Sequence, residues 1–145
     1  MDITPIVARL SVIAERVNAL RGLQSLTYEE FVEDHIVSAS AERNFQVAIQ
    51  AALDIGGLLL SALSTDVPRE YGEIFPRLAE IGVLPGGFAQ RLVQMAKFRN
   101  VLVHLYITVD TKRVYHYLQH DLGDLELFAQ YVGKYLAGAG MSRQK

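Results

Sequence analysis

The chain has no cysteine, and that single absence removes disulfides and thiolate metal sites together. The fold must then rest on packing alone, which suits a cytoplasmic protein. Although half of the residues are hydrophobic (50%), no run approaches the roughly 18 consecutive apolar residues of a membrane span. The N-terminus shows no basic stretch followed by an apolar one, so the sequence predicts a soluble, unprocessed protein with no membrane partner. A positive surplus is missing too: 14 Lys and Arg face 16 Asp and Glu, for a formal net charge of −2. Proteins that coat nucleic acid usually carry a large positive excess, so any contact with a polyanion must be local. Alternating strand patterns bounded by hairpin residues, internal repeats and low-complexity segments are all absent.

What is present is an apolar period of about 3.6 along almost the whole chain, which predicts an all-α fold. A length of 145 residues fits one domain that buries about two-thirds of its unfolded surface. We assign residues 1–140 to that single helical domain and 141–145 to a polar tail. Thr4 and Pro5 resemble a helix start, followed by the stripe Ile6, Leu10, Ile13, Val17 and Leu20. Thr27 with Glu30 matches a capping box, leading into a long helix from about Asp34 to Leu63. Within it, Gly56 and Gly57 fit either a close approach of another helix or a bend. Tyr71, Phe75, Leu78 and Ile81 suggest a short helix despite Pro76. After a break at Pro85, Gly86 and Gly87, a strongly periodic helix runs from about Phe88 to Tyr106. A final helix starts near Asp110 or Thr111 and reaches about Ala137. The count is about five main helices.

The informative stretch is FRNVLVHLY, Phe98 to Tyr106, which sets Arg, Asn, His and Tyr into an otherwise apolar helix. At about 100° per residue, Phe98, Val101, Leu102 and Leu105 form one stripe, expected to face the core. Leu92, Ala96 and Val103 form a second apolar strip, expected to be covered by the same helix of a second subunit. Arg99 and His104 lie about 140° apart on one helix, too far to act as simple neighbours, and a two-fold interface would bring both sets together. Plainer roles exist for each. Arg99 fits an ion pair with a carboxylate such as Glu42, Asn100 a hydrogen bond to a neighbouring helix, His104 a capping or hydrogen-bonded residue at a helix end, and Tyr106 an ordinary half-buried aromatic. His116, His120 and Asp124, four apart, would share a helix face that could meet a metal ion, but such spacing is common and a solvated face is the simpler reading. No metal or cofactor is expected. Lys112 and Arg113 fit a phosphate-binding rim or an ordinary solvated helix start.

RNVLVHLY resembles the signature of the HEPN superfamily, in the HepT-like form in which a Tyr follows two residues after the His. The similarity extends to ERNFQVAIQAALDIG (Glu42 to Gly56), to Tyr71 to Leu84, and to VYHYLQHDLGDLELF (Val114 to Phe128). The resemblance implies a helical bundle that forms a homodimer through the motif helix, and the ribonuclease toxin of a type II toxin–antitoxin system. It implies metal-independent RNA cleavage by Arg99 and His104 at the dimer cleft, with Asn100 in support. It further implies an MNT-type nucleotidyltransferase antitoxin that modifies Tyr106. The same superfamily resemblance admits a non-catalytic interaction module that binds a nucleotidyltransferase partner or a nucleotide.

Overall fold

A computed structural model of the chain describes residues 1–63, 66–103 and 110–138. Those residues hold seven α-helices and no strand: α1 (Thr4–Arg21), α2 (Tyr28–Glu33), α3 (His35–Ala62), α4 (Ile74–Glu80), α5 (Gly86–Val103), α6 (Thr111–His120) and α7 (Leu122–Gly138). A single 3-10 turn, Tyr71–Glu73, precedes α4. Leu105, the stretch Ile107 to Val109, and the tail 141–145 lie outside the described residues.

Several starts obey the chemistry of unpaired N–H groups at a helix end. Thr27 and Glu30 form the expected reciprocal capping box of α2. Asp34 accepts from the N–H groups of Ile36 and Val37 and launches α3. At α1 the cap falls one residue earlier than expected. Thr4 is already helical, and its N–H donates to Asp2 Oδ1 at 2.9 Å. Gly86 and Gly87 do not break the chain before α5 but form its first turn, with Ala89 N–H bonded to the Pro85 carbonyl at 3.0 Å. Pro76 is harmless at the third position of α4, where an N–H would have no partner inside the helix.

The central element is α3, which touches each of the other six helices. It is long and apolar enough to cross a membrane, with a mean hydropathy of 1.5 over an 18-residue window, and 56% of that window is buried inside the fold. Its apolar character is accounted for by six packed neighbours. Phe45 on α3 meets Phe98 edge-on at 5.6 Å, and Phe75 meets Phe128 in the same way at 5.7 Å. Gly56 admits α4: a Cβ there would collide with Ile74 Cγ2 and reach Leu78 Cδ1 at 3.3 Å, whereas a Cβ on Gly57 would meet nothing. Of the two readings of this glycine pair, close approach holds and α3 continues through it.

Two further expectations need correction. The final helix is two, because Asp121 closes α6 through a bond from its N–H to the Tyr117 carbonyl (2.9 Å) and its own carbonyl then accepts from Asp124 (3.0 Å) to open α7. The facing of α5 also differs in part, although Phe98 is buried as expected and Val103 is half-buried like its neighbours. Leu92 and Ala96, expected at a subunit interface, are 0% and 1% exposed in the chain's own core, while Val101 and Leu102, expected in that core, are only half-buried. Two turns upstream decide the orientation, since Phe88, Ala89, Leu92, Met95 and Ala96 form one buried ridge.

Candidate functional site

The ridge of α5 places Arg99. Seven residues beyond Leu92, it lies only about 20° from that core residue, so its side chain leaves the helix on the packed side. There it emerges at the end of the core, between α3 and the 3-10 turn, half-buried. Its guanidinium lies over the Tyr71 ring at 4.8 Å, and Nη1 donates to Asn100 Oδ1 at 3.1 Å. Nε is buried without a hydrogen-bond partner. Among the described residues no carboxylate pairs with Arg99. Glu42, the carboxylate suggested by sequence, is pushed up in pKa by burial, the opposite of what an adjacent guanidinium would do. Asn100 is exposed on the outer side and steadies Arg99 rather than a neighbouring helix. His104 and Tyr106, the other two expected site residues, lie outside the described residues.

Arg99 and Tyr71 wall a cleft of about 600 Å³ over the α1–α3 pair. Its floor is a connected network: Gln50 Nε2 donates to Asp54 Oδ1 at 2.8 Å, and Arg9 Nε stands 3.6 Å from Asp54 Oδ2 while Nη1 donates to the Pro5 carbonyl at 3.1 Å. Arg43 stands exposed at the cleft and has no hydrogen-bond, ion-pair or ring partner among the described residues. Three arginines therefore face one carboxylate. Sequence reasoning named Arg99 and missed Arg9, Arg43 and Tyr71. A signal existed on α3, where Arg43, Gln46, Gln50 and Asp54 recur at spacings of three and four, a polar stripe beside the apolar one.

A second, larger cleft of about 770 Å³ lies between α5 and α6. Phe98 stacks on Tyr117 there at 4.1 Å and 4°, with Arg113 5.7 Å from the first ring and 6.0 Å from the second. Burial raises the Tyr117 phenol pKa, and a hydrogen bond with Arg113 opposes the rise. His116 and His120 lie ring against ring at 4.5 Å, with Asp121 Oδ2 3.9 Å from His116 Nε2. Asp124, the third member of the trio noted in the sequence, sits across the helix break and is paired with Arg91. Among the described residues no group of three or more such side chains is placed to hold a metal ion.

The fold is shared with solved structures. A tri-AMPylated Shewanella oneidensis HEPN toxin, determined in complex with an MNT antitoxin, superposes with a TM-score of 0.82 at 22% identity, covering 92% of this chain and 99% of that one. YutE, a cytosolic protein of unknown function from Bacillus subtilis, gives 0.83 at 19% identity, covering 96% and 93%. These likenesses make the chain an all-α protein with the architecture of the HEPN toxins. The sequence agrees: the tRNA nuclease HepT of Aphanizomenon flos-aquae is 25% identical over 137 residues, 93% of each chain. The mRNA nuclease HepT of Shewanella oneidensis is 27% identical over 99 residues, 68% of this chain and 74% of that one. Residues 13–132 match the model of the ribonuclease HepT-like family, and the chain belongs to that family.

Proposed function

We propose that this protein is the ribonuclease toxin of a toxin–antitoxin pair, cutting RNA at a cleft between two copies of the motif helix without a metal ion. The observation that carries the reading is Arg99: a half-buried guanidinium, held by an aromatic face and an amide, with no carboxylate among the described residues to neutralise it. In a family of ribonucleases such an arginine suits a phosphate, since its planar fork grips two oxygens and keeps its charge throughout. The RNA's own 2′-hydroxyl attacks the adjacent phosphorus. A base removes its proton, the 2′-oxygen–phosphorus bond forms, and the bond to the 5′-oxygen breaks as that oxygen takes up a proton. His104 serves as base and acid, a dimer supplying two of them. The half-buried apolar end of α5, Val101 to Val103, is the surface left for the second copy now that Leu92 and Ala96 belong to the core.

The antitoxin in this reading is a nucleotidyltransferase. The Tyr106 hydroxyl attacks the α-phosphorus of a nucleoside triphosphate and pyrophosphate leaves, so that two residues from His104 the protein acquires bulk and negative charge that Arg99 would otherwise reserve for RNA. Cleavage of RNA in excess chelator, wild type against His104→Ala, is the test. The variant should be silent while its melting temperature and sedimentation stay those of the parent. Equal cleavage by both proteins would overturn the catalytic reading. Intact mass after co-expression with the antitoxin decides the modification, which Tyr106→Phe should abolish.

A further inference from the structure

We infer that the cleft over the α1–α3 pair binds a second phosphate of the RNA strand, next to the one being cut, with Arg43 as its principal cation; this rests on the nuclease reading of Arg99. The first ground is charge. The protein as a whole is negative by two, yet this cleft is lined by Arg9, Arg43 and Arg99 with Asp54 as its single carboxylate, which Arg9 already engages. A local positive surplus of this kind is what an acidic protein needs in order to hold a polyanion at one place. The second ground is availability. Arg43 is exposed and uncommitted among the described residues, so its fork is free to take two phosphate oxygens at no cost in broken contacts.

The third ground is polarity. Phosphate is disfavoured at the end where Asp54 stands, and the partly exposed Asp54 carboxylate, which Gln50 steadies, offers an acceptor suited to base N–H groups. The cleft's volume of about 600 Å³ falls within the usual range of small-molecule sites. Because Arg99 belongs both to this cleft and to the reacting phosphate, a strand leaving the cut site enters the cleft directly.

The test uses four uncleavable 2′-O-methyl octanucleotides, one of each base, with binding to the whole protein followed by fluorescence anisotropy. For the tightest of them, Arg43→Gln should weaken binding roughly tenfold at low salt. The same variant should flatten the dependence of log affinity on log salt by about 0.7, the loss of one contact to a single strand. Arg43→Lys should recover the slope but only part of the affinity, and the melting temperature should hold, since Arg43 is exposed. Unchanged affinity and slope in Arg43→Gln overturn the inference, as does failure of the wild type to bind any of the four. If wild type cleaves RNA and His104→Ala does not, while Arg43→Gln binds normally, the subsite falls and the nuclease stands. Arg43-dependent binding without any cleavage does the opposite: the phosphate site stands and the nuclease falls.

Discussion

The two clefts beside α5 differ in a way that volume would misjudge. The larger, against α6, sets Arg91, Lys112 and Arg113 against Asp110, Asp121 and Asp124, three cations to three carboxylates. Arg91 is paired with Asp124, and the Asp110 side chain caps α6 through the Lys112 N–H at 3.0 Å. The smaller, over α1 and α3, sets three arginines against one carboxylate. A compensated cleft is finished as it stands, and its charges serve packing and capping. An uncompensated one carries a potential that something else must complete, and surplus charge is therefore the better guide to ligand binding.

The sharpest way to break this comparison is Arg99→Lys. A point charge cannot reproduce the planar grip on two oxygens, and kcat/KM for RNA should fall about 100-fold. A loss below about threefold, in a steady-state cleavage assay, would remove Arg99 from the reaction. Next in size is a matched pair on α3. Gly56→Ala drives a methyl into Ile74, at a cost of about 1–3 kcal/mol of overpacking that exceeds the gain of about 1 kcal/mol in helix propensity. Ile74 directly follows the turn that carries Tyr71, so RNA binding should weaken along with stability. Gly57→Ala meets nothing and should gain up to about 1 kcal/mol. Urea unfolding reads both, and a stabilised Gly56→Ala would deny the close approach. The smallest effect is expected from the compensated cleft, where Lys112→Gln should change oligonucleotide affinity by less than about twofold, as for most surface substitutions. A loss matching that of Arg43→Gln would erase the distinction.

How far the sequence reaches depends on how local each feature is. The capping box at Thr27 and Glu30 and both limits of α3 were readable because a few adjacent residues determine them. The faces of α5 were readable only in part: Phe98 was placed in the core, but the nine residues of the motif carry apolar side chains on two sides, and only the ridge from Phe88 to Ala96 assigns Leu92 and Ala96. The division between α6 and α7 escaped for a related reason: Asp121 ends one helix through its backbone, and neither it nor Gly123 is a strong breaker of an otherwise periodic run. Arg99 was legible as a residue, but its environment was not. Tyr71 and Arg43 come from other elements, and only packing of the 3-10 turn and α3 around α5 unites them. His104 and Tyr106 stand on the motif alone.

The stacking of Arg99 on Tyr71 also gives the molecule an optical handle. The chain contains no tryptophan, so Tyr71→Trp would create the one indole in the protein, with its face under the guanidinium that the proposed chemistry requires. Indole is the best aromatic partner for a cation, so the exchange preserves the attraction that aims Arg99. When a phosphate draws the guanidinium toward itself, the emission of that single fluorophore changes with the cation's position. Occupancy of the site then becomes visible in unlabelled protein, on the timescale of mixing, before any bond in the RNA is cut.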